Sequence, residues 1–297
     1  MRVIASPVST PPLLPPAQTP LALPPSQEAP PDVVGDARDN LDAFVRVRGS
    51  KTGEDTVYYW RGGVYSDVEG QRSRRLFDFE GYNVARTVPD GEGGWLLLSR
   101  ETAVYRDPVS HRMLDVWVNP WTNKTVHVLP VLNDPVNSAL YVEPGDAPLV
   151  PADRVGDNTF FNLDVFLKYP SPLPKAQYPQ YSGSDTYQGG ELFQFTTPSA
   201  ALDDRSTPSV PATFSWTRQG PWLPWMEMGD APGRLVYQSH GMKLENGISD
   251  LPPEMHEWVQ ANHPTFLTAP TAYTSPNETS WTYFKKLVDS GAFPPTH

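Results

Sequence analysis

The chain has no cysteine anywhere in its 297 residues. Disulfides, thiolate nucleophiles and zinc–sulfur centres are therefore excluded together. Positive charge is scarce: 23 Lys and Arg face 34 Asp and Glu, for a formal net charge of −11. A nucleic-acid binder needs clustered cations to displace counterions from phosphates, and docking on anionic lipid needs them too, so neither partner is expected. No stretch reaches the roughly 18 apolar residues of a membrane helix. Prolines interrupt each apolar run of the N-terminal MRVIASPVSTPPLLPP, which argues against a secretory signal and for a cytoplasmic protein. Common catalytic signatures are missing as well, with no G-x-S-x-G elbow, P-loop, G-x-G-x-x-G after a strand, or H-E-x-x-H. His111, His127 and His240 lie on or beside predicted strands, but isolated strand histidines more often make hydrogen bonds than bind metal. No metal and no cofactor are expected.

Proline, by contrast, is abundant at 35 residues, ten of them within residues 1–31. Residues 1–35 read as a Pro-rich extended or disordered tail, and residues 36–297 as a single β-rich small-molecule-binding domain. Proline disfavours helix interiors and central strands, so the regular elements should be short. Asn40 is the expected cap of a first helix containing Leu41, Phe44 and Val45. From about 56 to 133, β-rich runs alternate with turns: TVYYWRGGVYSDV with a hairpin turn at Arg61-Gly62-Gly63, then RLFDFEGYNVARTV, GGWLLLSRETAVYRD, RMLDVWVNP and KTVHVLPVLN. FFNLDVFLKY (160–169), ELFQFTT (191–197), ATFSWTR (212–218) and RLVYQSHG (234–241) continue the pattern. Residues 135–158 and 170–190 read as long loops. PPEMHEWVQAN (252–262) and NETSWTYFKKLVDSG (277–291) carry helical stripes, the second with Asn277 as cap. The expected fold is mainly β: a single antiparallel β-barrel of lipocalin type, or a sandwich, with long loops and two short C-terminal helices. A homodimer is compatible with this chain.

Side-chain parity picks out candidate site residues. In RMLDVWVN, Leu114, Val116 and Val118 share one strand face, while Asp115, Trp117 and Asn119 share the other. In TVHVLP, Val126 and Val128 oppose Thr125, His127 and Leu129. The mixed face meets solvent or lines a cavity in which a few polar groups orient an apolar ligand. In FDFEGYNVAR, Asp78, Glu80 and Tyr82 alternate onto one face. A carboxylate in an apolar pocket has a raised pKa and serves as a general acid or base. Glu80, Asn119 and His127 are therefore the catalytic candidates. WTRQGPWLPWMEM (216–228) packs three tryptophans and two methionines around two prolines, as an aromatic corner, a pocket wall, or both. The candidate pocket comprises Tyr59, Tyr82, Asn83, Trp117, Trp121, Trp216, Trp222, Trp225, Met226, Met228 and Tyr237.

Several segments together resemble one family. RDNLDAFVRVRGS, FDFEGYNVAR, LDVWVNPWTNKTV, VLNDPVN, GPWLPWMEMG and NETSWTYFKK are similar to the pattern of domain of unknown function 1838, over roughly residues 36–290. The resemblance implies one β-rich domain and no known cofactor. In general character it extends to norbornene-forming Diels–Alderases of fungal natural-product pathways, with no catalytic motif to carry residue roles across. It implies a cofactor-independent cyclase or isomerase acting on an apolar precursor such as a terpenoid. Two other classes remain open: a lipocalin-like carrier without chemistry, and a hydrolase or lyase using Glu80.

Overall fold

Asp36 opens the first helix. Its carboxylate accepts from the backbone N–H groups of Arg38 and Asp39, both at 2.9 Å, and the helix α1 runs Ala37–Arg48. In the computed structural model, residues 36–142 and 150–294 are described; the Pro-rich tail lies outside the described residues. Asn40, the expected cap, sits one turn inside α1 and is buried, donating instead to the Val150 carbonyl at 2.9 Å. Asp36 caps because a carboxylate just before the first turn satisfies the orphan N–H groups there.

Among the described residues twelve strands follow: β1 Thr56–Asp67, β2 Arg75–Pro89, β3 Trp95–Arg106, β4 Val116–Val118, β5 Thr125–His127, β6 Val131–Asn133, β7 Ser138–Leu140, β8 Ala152–Val155, β9 Asn158–Pro170, β10 Thr186–Pro198, β11 Thr213–Gly220 and β12 Arg234–Lys243. Helix α2 (Ser199–Asp203) lies between β10 and β11, and helices α3 (Pro253–Asn262) and α4 (Ser280–Asp289) follow β12. Ten strands form one antiparallel sheet in the order β6-β3-β2-β1-β12-β11-β10-β9-β8, with β7 also on β3; β4 and β5 make a separate hairpin. The protein is thus mainly β, a large antiparallel sheet with four helices. Among the described residues, β6 and β8 end the order without pairing to each other. No helix of the described residues is long and apolar enough to cross a membrane.

Four local expectations change. The hairpin turn at Gly62-Gly63 does not form, because β1 runs unbroken through both residues. A Cβ on Gly62 would stand 2.1 Å from the Gln238 carbonyl oxygen, so this glycine serves the close approach of β12 and not a turn. The two chains of the small hairpin pair Trp117 with Val126 and Val116 with His127, so facing residues group differently from the separate parities. Trp117 and Val126 turn inward, while Val116 and Val118 are exposed, the reverse of an aliphatic core face. The presumed loop 135–158 contains β7 and β8, with residues 143–149 outside the described residues. α4 is capped by Thr279, whose side chain forms a reciprocal capping box with Thr282, and Asn277 bonds the backbone of Asn137 instead.

Alternation along the long strands divides the sheet into two faces. Outward residues Val57, Tyr82, Val84 and Val104 pack under α3 through Met255 and Val259 and under a 3-10 turn at Pro264–Leu267 through Phe266. Inward residues from nearly every strand form the larger core with Phe44, Val45 and Val47 of α1 and Trp281 and Phe284 of α4. Not all of that inward face closes on itself, and the remaining space is the cavity.

Candidate active site: an aromatic cavity with a charged floor

The inward faces of β1–β3, β6, β9–β12 and the start of α4 enclose a cavity of about 810 Å³. Its walls are largely aromatic, including Trp60, Phe79, Phe193, Phe195, Trp216 and Trp281. Rings meet edge to face or tilted, as between Phe79 and Tyr237 at 5.3 Å and between Phe193 and Trp216 at 6.1 Å.

Register sets two polar rows into this apolar surface. Across β1, β2, β3 and β6 the directly opposed residues are Tyr58, Asn83, Glu101 and Asn133. Across β10, β11 and β12 they are Glu191, Arg218 and Tyr237. Opposed residues of antiparallel strands share a face, so each row is contiguous. Asn133 Nδ2 donates to Glu101 Oε2 at 3.2 Å, the one hydrogen bond this carboxyl makes among the described residues. Arg218 holds the second row together: Nη2 donates to Tyr187 Oη at 2.7 Å, Nε lies 3.5 Å from Glu191 Oε1, and the guanidinium stands over the rings of Tyr237 and Trp281. Trp216 Nε1 donates to Glu191 Oε2 at 3.2 Å.

The rows meet electrostatically. Burial pushes the Glu101 pKa up to about 7; the Glu191 carboxylate raises it further, while the Asn133 bond, Arg218 and Arg48 pull it back. The part of Glu101 that remains accessible opens on the cavity it lines. The group is thus a carboxyl that changes charge near neutral pH inside an aromatic enclosure. Burial also holds the Tyr105 and Tyr237 hydroxyls, 3.4 Å apart, above their ordinary pKa, so both stay protonated.

The expected site residues divide three ways. Asn83, Trp216 and Tyr237 line the cavity. Tyr59, Glu80 and Tyr82 sit on the opposite face of the sheet. There Glu80 is buried, accepting from Tyr59 Oη and from Arg106 Nε at 2.6 Å, and Arg106 continues to Glu254 of α3 at 3.0 Å. Tyr82 Oη donates to the Phe266 carbonyl at 2.9 Å. Glu80 is therefore a clamp beneath α3 and not a cavity acid, because its strand parity points outward. The remaining candidates build the corner below the cavity. Trp225 packs on Phe77, Tyr105 and Trp117, and Trp222 on Trp121. Met226 and Met228 are buried beside them, and Asn119 Nδ2 donates to the Met226 carbonyl at 2.8 Å. His127 lies on β5 with its ring 6.4 Å from Phe293, away from the cavity lining. The three strand histidines do not converge: His111 pairs with Asp78 and His240 is on the outward face of β12. Among the described residues no three His, Asp or Glu form a metal-holding group.

Sequence reasoning missed Glu101, Asn133, Glu191, Arg218 and Arg48. A signal existed for three of them. Glu101 shares parity with Leu97, Ala103 and Tyr105, Glu191 with Phe193 and Phe195, and Arg218 with Phe214 and Trp216. A charge in register with aromatic core positions is the mark of a buried polar site.

A comparison with curated proteins finds none that matches. A family model does match, over residues 53–288, and its description is protein of unknown function, DUF1838. The matched span takes in every strand, and both polar rows fall inside it. Because it covers most of the chain and all of the cavity-forming sheet, the protein belongs to the DUF1838 family.

Proposed function

We propose that this chain is a cyclase or isomerase for an apolar, natural-product-sized molecule, working by a pericyclic, Diels–Alder type of ring closure in the concave cavity. The observation that carries the reading is Glu101, a carboxyl kept neutral up to about pH 7 within an aromatic enclosure. The volume falls inside the roughly 300–1,000 Å³ typical of small-molecule sites. Strands from both halves of the order line the one space, which supports a barrel-like wall in preference to a sandwich.

An intramolecular cycloaddition redistributes electrons within one molecule and consumes no external reagent. Its barrier falls when the two reacting ends are held together, an effect of up to about 7–11 kcal/mol in well-oriented cases. Rigid aromatic walls supply that orientation. Neutral Glu101 donates a hydrogen bond to a carbonyl on the electron-poor partner, drawing charge from it as the new bonds form. One such donor is worth roughly 3 kcal/mol. The hydrolase or lyase reading based on Glu80 finds no support in the geometry, since that carboxylate is paired beneath α3.

The test is incubation of the purified chain with linear substrates carrying a conjugated diene tethered to an α,β-unsaturated carbonyl. Conversion without mass change and with one product enantiomer is expected, declining as pH rises through about 7. Glu101→Gln keeps an N–H donor and should retain part of the rate with a flat pH profile; Glu101→Ala should lose about 100-fold. Absence of acceleration over buffer across such substrates would sink the reading. Tight binding without conversion would leave a carrier.

A further inference from the structure

Arg48 is a charged group in the cavity that the ring closure above does not use and that no carboxylate pairs among the described residues. It is the last residue of α1, and its guanidinium lies in the cavity wall over the rings of Tyr58 at 5.1 Å and Phe195 at 5.2 Å. The fully buried arginines are all satisfied by oxygen. Arg46 donates to the carbonyls of Ala201, Leu202, Asp204 and Thr207. Arg106 has Glu80, Glu254 and the His111 carbonyl. Arg218 has Tyr187 and Glu191. Arg48 makes no ion pair and its side chain donates no hydrogen bond among the described residues; its contacts are the two ring faces. A guanidinium carries five N–H donors in a fixed fork; those of the half-buried Arg48 open on the cavity and meet no protein oxygen among the described residues. Burial holds the Arg48 pKa below its ordinary value, with Tyr58 and Glu101 pulling the other way.

The surroundings define the missing partner. The side chain of Arg46 is turned to carbonyls of α2 and the loop after it, and that of Lys243 to carbonyls at the C-terminal end of α1, so Arg48 is the cation there that reaches the cavity. Inside the cavity, Glu191 balances Arg218, and Glu278 before α4 is paired with Lys286. Glu101 carries no charge in the state the proposed function uses. One positive charge is then left over, at Arg48. A single carboxylate neutralises it and matches the fork with two parallel N–H···O bonds. A dianionic phosphate would instead leave excess negative charge beside Glu191 and Glu101. Aromatic and aliphatic side chains make up much of the remaining wall, with uncharged Asn, Ser and Thr groups among them.

We propose that the ligand of this cavity is a monocarboxylic acid with a large apolar body, its carboxylate paired with Arg48 and its body lying along the aromatic walls. The inference rests on the cavity being the ligand site and on Glu101 being neutral, as the proposed function has both, and not on any reaction taking place there. Arg48 acts as an anchor. It orients the body so that the far part of the ligand reaches the Asn83–Glu101–Asn133 row.

The test titrates the full chain at pH 6, where Glu101 is largely protonated, with cis-parinaric acid, a fluorescent polyene acid, and with its methyl ester. The acid should bind at least 10-fold more tightly than the ester. Arg48→Gln should abolish that preference while leaving ester affinity within about twofold, and Arg48→Lys should keep part of it. Near-ultraviolet circular dichroism of each variant verifies that the core is intact. Equal binding of acid and ester, acid binding unchanged in Arg48→Gln, or binding of neither probe overturns the inference. The two proposals fail separately. A chain that prefers the acid but converts no substrate loses the ring closure and keeps the anchor. One that converts neutral esters as fast as acids, with no acid preference, does the reverse.

Discussion

Lys243 shows how much one side chain decides here. Its Nζ donates to the carbonyls of Arg46 at 2.9 Å, Val47 at 3.1 Å and Gly49 at 2.7 Å, closing the C-terminal end of α1. Those carbonyls have no partner within the helix, and the end of the macrodipole favours a cation beside them. Burial, with Arg48 and Arg46 nearby, nonetheless pulls its pKa to about 7. Lys243→Met keeps the aliphatic stem and removes all three bonds; Val210 N–H and the Tyr58 hydroxyl still reach the Arg46 and Val47 carbonyls, while that of Gly49 loses its donor. We expect a loss of about 1.5–3 kcal/mol in urea unfolding, the usual cost of removing bonds from a charged donor. Lys243→Arg should recover part of it. None of this was legible in the sequence, where the strand RLVYQSHG reads as ending at 241; Lys243 becomes a cap because β12 extends to it and brings it to the end of α1.

At the scale of elements, the segment from Trp216 to Met228 separates into wall and corner. β11 ends at Gly220, and the prolines that follow hold Trp222 and Trp225 in a turn that closes with the 3-10 piece Pro224–Met226. Trp225 is 2% exposed and meets three aromatic rings, whereas Trp216 is half-buried with its face on the cavity. The β4–β5 hairpin is pinned to this corner by Asn119, whose Oδ1 also accepts from Trp121 N at 2.9 Å. Trp225→Ala should therefore cost about 3–5 kcal/mol of stability, as large aromatic truncations in cores do. Trp216→Ala should cost clearly less and weaken ligand binding instead. Equal losses of stability in urea titrations would show that the distinction between corner and wall is not real. The sequence placed this stretch between two strands and identified it as aromatic packing. It did not reveal which indole faces the cavity, because that depends on where β11 ends and the turn begins.

For the whole molecule, Glu101 and Lys243 predict an unusual pH profile. A carboxyl whose folded pKa of about 7 lies above its unfolded value binds its proton more tightly in the folded chain. Its contribution to stability is full below about pH 4 and is lost as pH rises to about 7. For Lys243 the folded pKa lies below the unfolded value near 10, so the unfolded chain binds the extra proton and stability rises with pH from about 7 to 10. The two windows meet near neutrality. Thermal midpoints measured from pH 5 to 9 should pass through a shallow minimum near pH 7. Glu101→Gln should remove the falling limb and be the more stable protein at pH 8. The gain is about 1–2 kcal/mol, discounted because part of the carboxyl opens on the cavity. A monotonic wild-type profile that Glu101→Gln leaves unchanged would contradict the assignment.

Strand identity, the two C-terminal helices and the inward and outward alternation of the long strands were determined by the sequence itself, since period-2 patterning and turn chemistry are local. That Glu80 and Tyr82 share a face was legible too, but not that this face points away from the cavity. What remained hidden was which face would enclose space. Both faces of β2 bury their residues, one against α3 and one against the cavity, so burial signals in FDFEGYNVAR cannot distinguish them. Gly62-Gly63 carried the local mark of a turn and became a crossing point because a second strand lies within van der Waals range. Only the tertiary structure decided that Glu101 on β3 and Glu191 and Arg218 on β10 and β11 belong to one site. Their proximity follows from strand order and sheet curvature, and these are set by pairings between residues far apart in the chain.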